Sequence, residues 1–262
     1  MLFLMRVDMG WTTVPSDSPN SLEEVLLATT HIRTYWGSQH LTNASGFFFQ
    51  RDARLFLVTS SHVLQDQLTR HFPDRIEIEL HTCANDLSRI AIFSIPLFSQ
   101  GAELWTRASD TAGSVDIAAI EIAVDRLPEQ TLLRAFNVSN LDAGSEDVAI
   151  GDDLIVVGFP LGFHDTVHYL AVARSASIAS AYGVRFQRQG YFLTDARTHR
   201  GSSGSPVLRR RRTAHSARSL DAWQLLGVHS TRMDMRTRDV IEDESLGLNC
   251  AWYTDVLLLL TA

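Results

Sequence analysis

Three residues of this sequence carry the groups that nucleophilic catalysis needs. His62 follows the apolar run RLFLVTSS, Asp116 opens DIAAIEI, and Ser203 sits in the glycine-serine turn HRGSSGSPV. A hydroxyl is a weak nucleophile until a base within hydrogen-bond reach takes its proton, and the base needs an anion to orient it. Histidine, aspartate and serine supply those three parts for attack on an acyl carbon. Each also has a plainer reading: His62 as a satisfied histidine at a strand end, Asp116 as a turn or cap residue, and HRGSSGSPV as a polar loop, since glycine accepts positive φ and serine turns the chain. The three together are harder to obtain by accident than any one. Their order excludes one rival, because a hydrolase elbow GxSxG needs glycine where this chain has Ser205 and runs Ser, Asp, His. His164 and His168, four apart, would share a helix face and invite a metal reading, but the strand-like YLAVARS beyond them breaks such a helix, and no metal or other cofactor is expected.

The elements that must position these groups read as strands. GFFFQ, RLFLVTSS, RIEIEL, RIAIFSI and DIAAIEIAV in the first half, then DDLIVVGFP, YLAVARSASIAS, YFLTD, SPVLR, WQLLGVHS and NCAWYTD in the second, are apolar or alternating runs bounded by turn residues. Five or six strands per half with few helical patterns predict an all-β protein of two barrels or sandwiches. The stretch from 125 to 147, with its proline, asparagines and acidic GSED, predicts the connection, and helices are expected over Leu22 to Thr30 and Thr254 to Leu260.

Composition narrows the class. The chain has 262 residues, 45% hydrophobic and 20% charged, with a net charge of −7. It is ordinary globular material, long enough for a sizeable core. The negative balance argues against a nucleic-acid binder, and the basic run Arg209 to Arg212 reads as a solvated loop. No apolar run reaches the ~18 residues of a membrane span, and the start MLFLMRVDMGW lacks the pattern of a secretory signal, so no membrane role and a cytoplasmic location are expected. Cys83 and Cys250 lie far apart without a CxxC pair and read as two buried thiols.

The motifs resemble a known family. TSSHV, DIAAIEI and GSSGSPV resemble the TAAHC, DIALL and GDSGGPV motifs of chymotrypsin-fold serine peptidases, and LTDARTHRGSSGSP and VVGFPLG resemble the bacterial HtrA-like and glutamyl-endopeptidase branch. The resemblance implies one trypsin-like peptidase domain over 1–262, built as two six-stranded antiparallel β-barrels (about 25–125 and 148–262, joined by 126–147) with a short C-terminal helix. It implies a serine endopeptidase acting on protein or peptide substrates, with Ser203 as nucleophile, His62 as base and Asp116 as orienter. The amides of Gly201 and Ser203 would form the oxyanion hole, and Gly204 would leave room for substrate. Ser202 stands where animal trypsin-like enzymes place the aspartate that pairs with a new amino terminus, which argues against activation by amino-terminal cleavage. Thr198 and His229 match positions where related peptidases grip Glu or Gln before the scissile bond; the alternative is that His229 only packs in its strand. Arg197 and Arg200 would strengthen an acidic preference. Two further alternatives are an idle fold used as a binding module and an effector peptidase held inactive until a regulatory protein partner signals.

Overall fold

The computed structural model describes residues 22–141, 148–211, 216–234 and 245–262. The expectations for the first eleven residues, the acidic GSED and Arg212 lie outside that range. Two sheets carry the architecture, which is all-β and of the chymotrypsin type. The first runs in the spatial order Ile90–Pro96, Arg75–His81, Thr29–Trp36, Gln39–Arg51, Arg54–Thr59, Gly113–Ile122, Thr106–Asp110, and Phe136–Asn137 joins it as a parallel partner of Gln39–Arg51. It therefore has eight strands rather than the expected six, and one of its pairings is parallel. The second sheet has the expected six, in the order Val172–Ser177, Asp153–Gly158, Pro206–Arg210, Trp223–Asp234, Ser245–Tyr253, Tyr191–Thr194. An antiparallel bridge between Ile178 and Thr194 ties its last strand back to its first.

The three apolar runs nearest the chemistry lack polar alternation over their central residues because their strands are covered on both faces. Phe47 and Phe49 point into a core shared by the two sheets, while Phe48 points into the first barrel. Phe56 and Val58 divide from Leu55 and Leu57 in the same way, as do Ile117 and Ala119 from Ala118 and Ile120. A strand buried on both faces reads as a continuous apolar run. Burying one such phenylalanine contributes about 1.5–3 kcal/mol, so these three adjacent strands form a rigid slab. RIEIEL alternates as expected, with Ile76, Ile78 and Leu80 in the core of the first barrel. On its other face Glu79 and His81 are buried too, Glu79 beside His31 and Arg33 and His81 donating to the carbonyl of His168.

The helices are shorter than expected. The first covers Glu24–Ala28, and Thr29 and Thr30 already belong to a strand, as suits β-branched residues. The last covers Val256–Leu260, started by the Asp255 carboxylate accepting from the Val256 amide. The connection is docked on both sides: Leu132 donates to the His81 carbonyl at 2.7 Å, and the Asn140 amide donates to the carbonyls of Leu220 and of Trp223, the first residue of a strand in the second sheet. The basic run is not simply solvated, since Arg209 pairs with Asp152 at 2.9 Å and Arg210 stacks on the Trp223 ring. Cys250 is buried as expected, but Cys83 is half-exposed, and the two are not bonded. No helix among the described residues is long and apolar enough to cross a membrane.

Candidate active site

The first sheet delivers a histidine and an aspartate to one end of the shared core. Strand Arg54–Thr59 ends in a single helical turn, Ser61–Leu64, held by the buried Val63 and Leu64, and His62 is its exposed-side residue. Asp116 lies on the neighbouring strand Gly113–Ile122. Its Oδ1 accepts from the His62 amide at 2.9 Å and from the Ser61 hydroxyl at 2.7 Å. Its Oδ2 accepts from His62 Nδ1 at 2.7 Å and from the Ser230 hydroxyl. Burial alone would raise the pKa of this carboxyl, but the bonds from His62, Ser230 and Ser61 and the charge of His62 outweigh it and hold it below the usual value. An ionised carboxylate only accepts, so Nδ1 carries the proton and Nε2 of the neutral ring is bare.

Ser203 faces that bare nitrogen across 3.0 Å. Its oxygen is also 3.0 Å from the Ser230 carbonyl. A hydroxyl has one proton. With neutral His62 it can go to Nε2; with protonated His62, Nε2–H donates to the serine oxygen and the serine proton goes to Ser230. Burial opposes the cationic ring, but the bond to Asp116 and its charge prevail, and the His62 pKa is raised.

The turn around Ser203 separates its three serines. Ser202 and Ser205 are buried and Ser203 is half-exposed. Gly201 and Gly204 have φ of +91° and +85°, a region costly for other residues. A Cβ at Gly201 would come within 2.6 Å of the Phe159 carbonyl oxygen. At Gly204 a Cβ would fall on the Ser45 carbonyl oxygen and the Thr59 hydroxyl. The space there is occupied by the first sheet, which corrects the expectation that Gly204 leaves room for substrate. The amides of Gly201 and Ser203 donate to no group among the described residues.

Ser45, which the sequence reading missed, fastens this turn from the other barrel. Its amide donates to the Ser203 carbonyl at 2.9 Å, and its hydroxyl donates to the Gly201 carbonyl at 2.8 Å while accepting from the Phe159 amide at 2.9 Å. Ser61, Ser230 and Asn249 were also missed. Ser61 and Ser230 adjoin His62 and His229 in sequence, which is the one signal that could have found them.

Thr198 and His229 are both buried. The Thr198 hydroxyl is 2.5 Å from Asn249 Oδ1. His229 lies opposite Ala251 on strand Ser245–Tyr253, its Nδ1 has no hydrogen-bond partner among the described residues, and burial, with a smaller contribution from the charge of His62, lowers its pKa to about 4. Arg197 and Arg200 are exposed. His164 and His168 are in turns, not on one helix face; His164 lies 2.7 Å from the Gly162 carbonyl and His168 pairs with Asp165 at 2.8 Å.

No curated protein matches the sequence. The family model of the trypsin-like peptidase domain matches residues 44–213, from just before Ser45 to beyond Ser203. That span is more than half of the chain and holds His62, Asp116 and Ser203 in the order the geometry uses, so the protein belongs to the trypsin-like peptidases and is a peptidase of the serine type.

Proposed function

We propose that the protein is a serine endopeptidase in which Ser203, His62 and Asp116 act as one unit, of the HtrA-like and glutamyl-endopeptidase branch, with a preference for Glu or Gln before the scissile bond. The observation that supports it most is the placing of His62 between Asp116 at 2.7 Å and Ser203 at 3.0 Å. Ser203 Oγ attacks the carbonyl carbon as its proton passes to His62 Nε2, and the tetrahedral oxyanion takes the unengaged amides of Gly201 and Ser203. Removing one such donor typically costs about 2.7–4 kcal/mol. His62 then protonates the leaving amine, the C–N bond breaks, and water hydrolyses the acyl-serine with His62 again as base. Asp116 stays ionised throughout and balances the imidazolium.

A peptide library varied at the position before the cut tests the reading. Cleavage after Glu or Gln that disappears in Ser203→Ala is expected. Cleavage only after Lys or Phe contradicts the pocket assignment, and activity retained by Ser203→Ala contradicts the mechanism.

A further inference from the structure

Building on the Glu-or-Gln pocket, we propose that it selects an uncharged glutamine amide over a glutamate carboxylate, because Asn249 holds the one proton that Thr198 could give. The Asn249 amide nitrogen donates to the carbonyl oxygens of Ala196 at 2.6 Å and Thr194 at 3.4 Å. Both partners only accept, so the nitrogen must face them and Oδ1 must face Thr198; the flipped amide would set oxygen against oxygen on that side. Oδ1 in turn only accepts, so the Thr198 hydroxyl proton lies in the 2.5 Å contact between them. Thr198 therefore keeps lone pairs, and no donor, for a ligand.

His229 supplies the complementary half. It pairs with Ala251, two residues from Asn249 on the same strand, so His229, Ala251 and Asn249 share one face. His229 is 2% exposed and its Nδ1 has no partner among the described residues. A buried imidazole nitrogen without a partner is uncommon in a folded protein and leaves hydrogen-bonding capacity of the ring unused. No carboxylate acts on it among the described residues, and with its pKa lowered to about 4 it is neutral, offering one N–H and no charge.

A glutamine side chain fits both halves, its oxygen accepting from His229 and its amide nitrogen donating to Thr198. A glutamate carboxylate has no proton for Thr198. Were Thr198 to turn its own proton toward that carboxylate, its oxygen and Asn249 Oδ1 would face each other at 2.5 Å with no hydrogen between them. The carboxylate would also be desolvated, with Arg197 and Arg200 facing solvent.

The test uses binding, so that it does not depend on turnover. Peptides identical except for Gln, Glu, Leu or Lys before the scissile bond are titrated calorimetrically against Ser203→Ala. The Gln peptide is expected to bind on the order of 100-fold more tightly than the Glu peptide, since a site built for a hydrogen-bond donor strongly rejects an analogue lacking it. Adding Thr198→Val should reduce that ratio about tenfold by weakening Gln and not Glu, whereas Thr198→Ser, which keeps the hydroxyl, should preserve it. Equal or tighter binding of Glu overturns the inference and leaves the Glu-or-Gln pocket standing. A preference for Leu or Lys, or no binding of any peptide, overturns both. An unchanged ratio in Thr198→Val, with Thr198→Ser also unchanged, assigns the discrimination elsewhere and overturns the inference.

Discussion

His62 and His229 both adjoin the turn that carries Ser203 and are tuned in opposite directions. Both lose solvation, which disfavours the charged ring. His62 meets Asp116, a carboxylate with donors on both oxygens, and its pKa is raised; His229 meets no anion among the described residues, and its pKa is lowered to about 4. Burial is thus common to the two, and the presence or absence of one carboxylate sets the direction in which each imidazole's pKa moves. Their contributions to stability have opposite signs as well. The raised pKa of His62 stabilises the fold fully below the ordinary value near 6.5 and loses that contribution as pH rises through the folded value. The lowered pKa of His229 means that the unfolded chain binds a proton the folded one does not, so its stability falls with pH between about 6.5 and 4.

The contrast can be broken most severely by giving His62 the surroundings of His229. Asp116→Asn removes the anion and the proton acceptor that fixes the tautomer, and kcat is expected to fall about 10⁴-fold, with the acid limb of kcat/KM moving to lower pH. A pH profile of peptide hydrolysis measures both, and an acid limb that stays in place would deny Asp116 its role. A second change removes the other member. Relative to His229→Gln, the wild-type protein should lose stability as pH falls from 6.5 to 4, by about 3 kcal/mol at the lower end. Denaturant titrations at several pH values read this directly, and parallel curves would contradict the neutral imidazole.

Smaller effects sharpen the picture around His62. Ser45→Ala frees the Gly201 carbonyl, and kcat is expected to fall about tenfold at nearly constant KM, below the cost of deleting an oxyanion donor outright. A rise in KM alone would mean that Ser45 positions substrate rather than the turn. Ser61→Ala takes one donor from Asp116 Oδ1 and should lower kcat/KM only several-fold, in line with about 1 kcal/mol for a single hydrogen bond.

Much of this was legible in the sequence, and the reasons are local. The apolar runs around FFF and RLFLV announced doubly covered strands, and the three chemical residues stood beside them. Strand Thr29–Trp36 was not legible because its buried positions include Thr30, His31 and Thr34, and Thr30 finds its partner, the Glu79 carbonyl, 49 positions away. The parallel pairing of Phe136–Asn137 depends on where the connection docks, which no local pattern records. The partners of the recognised residues were hidden for the same reason: Asn249 reaches Thr198 across 51 positions, and Ser45 reaches Gly201 across 156. The threonine's type suggested a donor, and only its contact with Asn249 shows that the proton is already engaged.

The central claim is that His62 and Asp116 activate one serine among the three in HRGSSGSPV. Reaction with a fluorophosphonate, followed by peptide mass spectrometry, tests it most directly. A single adduct on Ser203 is expected, lost in His62→Ala and strongly slowed in Asp116→Asn. An unreactive wild-type protein, or an adduct on Ser202 or Ser205, would contradict it.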